Sequence, residues 1–568
     1  MQRFLGALLA LSVGAGGAAC TGDVGDPETD DPSGPGGPSG TSGEPPIEEL
    51  IEPAPAGVRK LTGPQYVNSV RVLLGAAAGA EAASRVAVAD PPFDAPLDAF
   101  DAIGAAHLSL TPAAVEQLEG FARSIATVVK NEPGKLQSLV PCAPTGPNDA
   151  ACHRQFVERF GRLAFRRPLT DEEVTAYAGV AQAAATHAEI QSFDEGTYYA
   201  LSALLQAPDF LYIVELGDAG GAEDPARRRL TSLELGTRMS FFVLQQTPDA
   251  ATLDRIEADG LDTPEKVRAL AEELVARPEA RPALANHFAE VYRLRELRTD
   301  VSKDPAKFPQ WNHDLAVSME EEMLRLIEDV VWTRNGDARD IFDADYTYVN
   351  EALASIYALP APDSAWEKVQ LPASQGRGGF LGSAAFAARL SSGTRTSPTR
   401  RGLFVQTSLL CGDIPPPPPG VITKLPEDDP GKPMTLKEKL AAHQQDPTCA
   451  NCHKLMDPIG FAFEKIDPIG AFRTTDNGQA IDSSTSVDGL GEFDSPATLG
   501  AILRELPRAQ RCTIQQLYRQ SMGHLEKPGE GPAIDQIEEA YAASGYNLQT
   551  LIVDIASSPA FSLVGEPK

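Results

Sequence analysis

The chain has 568 residues, enough for roughly three to five domains at ~150 residues each, and its 42% hydrophobic content suffices for ordinary buried cores. Its 49 basic and 79 acidic side chains leave a net charge of −30. That balance excludes a nucleic-acid partner, which needs a basic footprint; the acidity reads first as keeping the chain soluble, and alternatively as a surface that would steer a basic redox partner toward it.

Residues 1–20 read as a lipoprotein-type signal peptide. Arg3 makes a short positive start, and Phe4 to Val13 is an apolar run too short to span a bilayer. Gly16-Gly17-Ala18-Ala19 then precede Cys20. Small residues ahead of a cysteine are similar to a bacterial lipobox, which makes Cys20 the expected lipidation site; simple secretion with cleavage nearby is the alternative. No later apolar run reaches the ~18 residues of a transmembrane helix. The expectation is an exported protein, lipid-anchored at the cell envelope on its periplasmic face or outer surface, with the membrane as partner through that anchor. Residues 21–56, rich in Gly, Pro, Ser and Asp, read as a disordered linker that cannot offset its own ordering entropy.

The body reads as mainly α, a multi-domain helical assembly. A first helical unit, 57–135, holds helices near 59–75 and 109–129, the second opening at Ser109-Leu-Thr-Pro. A second unit, 136–220, contains Cys142 and Cys152 and helices over 153–166, from Thr170, and over 194–216 with a stop near Pro208. A third, 228–358, carries helices over 232–244, 264–276, 279–294 and Leu315 to Trp332. In the last of these Leu315, Met319, Met323, Leu326, Ile327 and Val330 share a face, and Glu320, Glu321 and Glu322 read as a solvated one. Residues 359–374, rich in Pro and Ala, end the run of helices. The stretch 375–492, which contains Cys449-Ala-Asn-Cys452-His453 and on that C-x-x-C-H motif reads as a small cytochrome c-like haem module, also holds a stiff proline tract at Pro415 to Pro419 and a short β-hairpin over 475–491. Residues 493–568 return to helices.

The chemistry concentrates at Cys449-Ala-Asn-Cys452-His453, which has the form C-x-x-C-H. Two thiols at this spacing can each add across a haem vinyl group, and the following imidazole can bind the iron. Zinc is a weaker reading, because it needs four ligands and only His443 and Asp457 stand close by. A thioredoxin-like dithiol lacks its βαβ setting. The expected cofactor is one covalent haem c, bound by Cys449, Cys452 and the proximal ligand His453. His443 is the favoured sixth ligand; Met434, Met522 and His524 are the others, whereas Met456 shares the turn of His453 and cannot reach the opposite iron face. His107, His153, His187, His287 and His313 show no metal spacing and read as structural.

If haem takes Cys449 and Cys452, and Cys20 is lipidated, four cysteines remain and allow three pairings. An oxidising compartment favours disulfides. Cys142 with Cys152 is the simplest local clip, which leaves Cys411 with Cys512; buried free thiols are the alternative for one pair.

Around the motif, the run from His443 through Met456-Asp-Pro-Ile-Gly-Phe461 to Arg473 resembles the haem-type module of an exported bacterial family built from domains of unknown function 1587, 1595, 1592, 1588 and 1585. Phe160-Gly-Arg-Leu-Ala-Phe165-Arg166-Arg167-Pro168 resembles its second unit, Asp345-Tyr-Thr-Tyr-Val349-Asn350 its third, and Ser397-Pro-Thr-Arg-Arg401-Gly402 the start of its fourth. Cys512 to Phe561 resembles the fifth, with Gly523-His524 where the family often has glycine and arginine, and Leu61 to Leu74 resembles the first. The resemblance implies a cytochrome-bearing surface protein. It also suggests that the segment after the motif, rich in Pro and Gly, turns the chain and packs Phe461 and Phe463 against a porphyrin edge. The expected function is one-electron transfer at the cell envelope. The alternatives are a haem enzyme with an open sixth iron site, and a binding or structural lipoprotein without haem.

Overall fold

A computed structural model describes residues 47–75, 94–107, 109–218, 226–415, 434–443 and 447–567. Cys20, the signal segment and most of the linker lie outside the described residues, as does most of the proline tract. The fold is mainly α, and among the described residues every sheet is a two-stranded antiparallel ladder. Many helices start where the sequence carries a cap. Thr62, Thr170 and Thr231 each close a reciprocal capping box with Gln65, Glu173 and Glu234, and Thr111 and Thr263 cap helices that open with proline.

The helices build two cores. The first gathers Val70, Leu73, Ile125, Val129, Phe156, Phe160, Leu201 and Phe210 from the helices between Gly63 and Leu204 and the turn after them. The stretches 57–135 and 136–220 therefore share one core. The Cys142–Cys152 disulfide clips the entry to the helix Ala150–Phe165. The second, larger core runs from Ile51 to Val564. Phe380, Phe386, Phe404, Ile459, Phe463 and Phe493 belong to it together with Met319, Leu326, Leu551 and Phe561. Apolar side chains of residues 375–492 thus pack onto the helices before and after them. The Cys411–Cys512 disulfide crosses the same region.

The two cores meet at a buried ion cluster. Glu215 accepts from Arg59 at 2.9 Å and from Arg238 at 2.8 Å, and Arg238 also donates to Phe561 O. These guanidinium groups overcome the burial that opposes them and hold the Glu215 carboxyl down at about 2.

Five expectations are corrected. The linker ends before residue 56: Ile47–Leu50 is helical, Ile51 is fully buried, and Pro55 bridges Gly565. Composition averaged over the Gly/Pro stretch hides these few apolar residues. Gly57–Lys60 is a strand, paired with Tyr212–Glu215, ahead of the helix Gly63–Leu74. Glu367–Gln370, inside the stretch 359–374, forms a strand on Tyr346–Val349, and the single expected hairpin is two, Thr475–Asp476 with Gln479–Ala480 and Thr485–Val487 with Gly491–Phe493. Finally, Glu322 does not face solvent. It lies three residues after Met319, on the same helical face, and is fully buried with Oε1 accepting from Thr347 at 2.7 Å and Tyr357 at 2.5 Å.

Candidate functional site

The C-x-x-C-H residues lie near the start of the helix Pro447–Phe461, here called the motif helix. Proline at its first position costs no hydrogen bond, since that N–H would be unpaired anyway. Cys449 falls in the first turn, but its side chain lies outside the described residues. Cys452 follows three residues later, a half-buried thiol in no disulfide. His453 adjoins it with 21% of its side chain exposed, and its Nδ1 lies 2.8 Å from Asp457 Oδ2, one helical turn on. Asp457 has no exposed surface, and its Oδ1 accepts from Thr399 Oγ1 at 2.7 Å. The bond to Asp457 raises the His453 pKa above the ordinary histidine value, against the opposing effect of burial.

A shorter helix, Pro398–Phe404, braces the motif helix from behind. Its start is fixed by Ser397, which caps Arg400 N. The two helices approach backbone to backbone. A Cβ at Gly402 would lie 1.8 Å from Met456 O, and one at Gly460 would lie 2.0 Å from Pro398 O. Each helix thus offers a glycine where the other's main chain passes. Arg401, fully buried, then locks the turn that follows the motif helix. It donates to Phe463 O at 2.7 Å, Ile466 O at 3.0 Å and Ser391 Oγ at 3.0 Å. Glu464 completes the lock, accepting from Thr396 and Arg473.

This arrangement corrects the reading of the segment after the motif. The helix continues through Pro458 to Phe461 instead of breaking. Proline removes only the bond to the carbonyl of Lys454, an exposed residue, and the brace supplies the packing that keeps the helix intact. Phe463 packs in the main core, 4.8 Å from Phe386 between ring centres, and Phe461 packs on Leu436 and Leu440. Burying such a ring contributes ~1.5–3 kcal/mol.

The sixth-ligand candidates divide. His443 ends the helix Leu436–His443, which packs against the motif helix, and its side chain lies outside the described residues. Met434 sits just before that helix, its carbonyl accepting from Asn477. Met522 is buried in the main core, and His524 is engaged by Leu525 O at 2.9 Å with Glu530 at 3.6 Å. Among the described residues no three His, Cys, Asp or Glu side chains converge as a metal site, so the zinc reading gains no further ligand there. His153 and His287 are buried and structural: His153 stacks on Phe193 with ring centres 4.0 Å apart, and burial pushes His287 down to about 4.

The sequence reading named Asp457 as a possible zinc ligand and missed it as the partner of His453. Its i, i+4 spacing on a helix is the signal that could have found it. Thr399 carried no local signal beyond its place in Ser397-Pro-Thr-Arg-Arg401-Gly402.

The residues present fit a c-type haem in their donor chemistry. An unbridged thiol stands beside an imidazole whose Nδ1 is engaged by Asp457, and a metal would meet such a ring through Nε2.

Four family descriptions match the chain in order. Protein of unknown function DUF1595 matches residues 152–215, DUF1592 matches 230–359, DUF1588 matches 377–476 and DUF1585 matches 491–561. The DUF1588 match takes in both the brace and the motif helix. No curated protein and no solved structure matches the chain. With these units in this succession, the chain belongs to the multi-domain family built from domains of unknown function 1595, 1592, 1588 and 1585.

Proposed function

We propose that the protein is an exported c-type haem protein that passes single electrons at the cell envelope. Cys449 and Cys452 would hold the haem by thioether bonds, and His453 would supply the iron ligand through Nε2. The haem when bound supplies the one-electron chemistry. The chain fixes the imidazole, and the brace keeps the motif helix from yielding. The observation that carries the reading is the pairing of Cys452, partly exposed and in no disulfide, with a His453 whose Nδ1 is held by buried Asp457. Two disulfides elsewhere support an oxidising compartment, in keeping with a leader ending at Cys20.

The test is export of the full chain in a host with cytochrome c maturation, followed by intact mass and a pyridine haemochrome spectrum. The expected result is one covalent haem per chain, lost in the Cys449→Ala/Cys452→Ala variant. A colourless wild-type protein without added haem mass refutes the reading.

A further inference from the structure

Resting on the haem reading above, we propose that Asp457 is the positioning residue that selects Nε2 of His453 as the iron ligand and sets the potential of the bound haem. The carboxylate is wholly buried, with Oδ1 taking the Thr399 hydroxyl at 2.7 Å and Oδ2 lying 2.8 Å from His453 Nδ1. The two residues are one turn apart on a helix whose backbone is packed closely at Gly402 and Gly460, so the main chain beneath the pair is held in place. A hydrogen bond from Nδ1–H to a fixed carboxylate selects the neutral tautomer with its lone pair on Nε2.

The same contact has an electronic consequence. Drawing the Nδ1 proton toward a carboxylate makes Nε2 a stronger donor. A buried anion near the ligand also favours the more positive state of the iron. Both effects stabilise ferric over ferrous iron and lower the potential. Thr399 works in the opposite sense, because its donation to Oδ1 draws charge away from the oxygen that faces His453.

The experiment uses the full chain as wild type, Asp457→Asn and Thr399→Val, exported with haem maturation and titrated optically against redox mediators. Outer-shell carboxylates change metal affinity by roughly 10–100-fold. If the ferric state alone loses tenfold, the potential of Asp457→Asn rises by about 59 mV, and the iron–histidine stretching frequency falls. Thr399→Val shifts the potential the other way. A second measurement needs no haem: ¹⁵N spectra of histidine-labelled chain, exported without maturation and recorded at alkaline pH where the ring is neutral, show His453 as the Nδ1–H tautomer. Wild type lacking covalent haem refutes the haem reading and leaves the tautomer result standing. Haem in both proteins with equal potentials overturns the proposal, and so does an Nε2–H tautomer in wild type, even if Asp457→Asn fails to fold.

Discussion

Gly402→Ala tests whether the brace and motif helices touch as closely as the site requires. The added methyl would lie 1.8 Å from Met456 O, and reaching even 3.0 Å means parting the two backbones by about 1.2 Å. The obstacle is main chain, so no side-chain rotation relieves it. Overpacking of this kind costs ~1–3 kcal/mol, and a backbone clash belongs at the upper end. Alanine returns ~1 kcal/mol through its better helix propensity. The net expectation is a loss on the order of 2 kcal/mol. Gly120→Ala and Gly179→Ala are the matched controls, being exposed helical glycines with nothing within 4 Å of the new methyl. They should be stabilised by up to ~1 kcal/mol. Urea unfolding followed by circular dichroism measures all three, and a thiol reagent on the haem-free protein reports whether Cys449 and Cys452 react faster in Gly402→Ala. Stability equal to the controls together with unchanged thiol rates would refute the close contact.

Three further outcomes are expected. Burial raises the Glu322 pKa to about 7, so the native chain keeps a proton that an unfolded glutamate near 4.5 gives up. That contribution is fully present below the unfolded value and is lost as pH rises through the folded one. Glu322→Gln should therefore gain on wild type between pH 4.5 and 8, by up to roughly 3 kcal/mol in paired denaturation curves; a pH-independent difference would rule this out. Arg401→Lys should cost about 3 kcal/mol, because one ammonium cannot serve Phe463 O, Ile466 O and Ser391 together; wild-type stability would remove Arg401 as the lock. Replacing Cys411 and Cys512 by Ser opens a loop with a sequence separation of 101, against 10 for Cys142 and Cys152. The first pair should lose more, up to ~5 kcal/mol, when both variants are unfolded without reductant.

Helices were legible wherever a cap and an apolar stripe coincided, as at Thr170 and Thr231. The strands at Gly57–Lys60 and Glu367–Gln370 were not, because each is four residues long and is defined by a distant partner. Glu322 shows the limit of reading charge as exposure: its helical phase pointed inward, but its acceptors, Thr347 and Tyr357, lie 25 and 35 residues away. At the site, spacing alone marked Cys449, Cys452 and His453 as candidates, and the structure places them near the start of one helix. Gly402 and Gly460 stood in the sequence with no visible reason, since a close approach of two main chains belongs to neither helix by itself. Nor could Pro458 be placed, because local chemistry predicts a break that the brace prevents.

The larger core has a consequence for the order in which the molecule can be assembled. Leu563 and Val564 pair with Arg229 and Arg228, and the amides of Ala56 and Gly565 bond across to Gly565 O and Ala54 O. A chain emerging N-terminus first can complete the smaller core once residue 241 is out, whereas the larger core, which takes in Ile459 of the motif helix, waits for residues as late as Val564. During that interval the motif helix already has its brace, since Pro398–Phe404 precedes it in the chain and packs against it. The nearest support of His453 is therefore in place before the larger core is complete, and loss of the last residues would strike that core before it reached the motif helix.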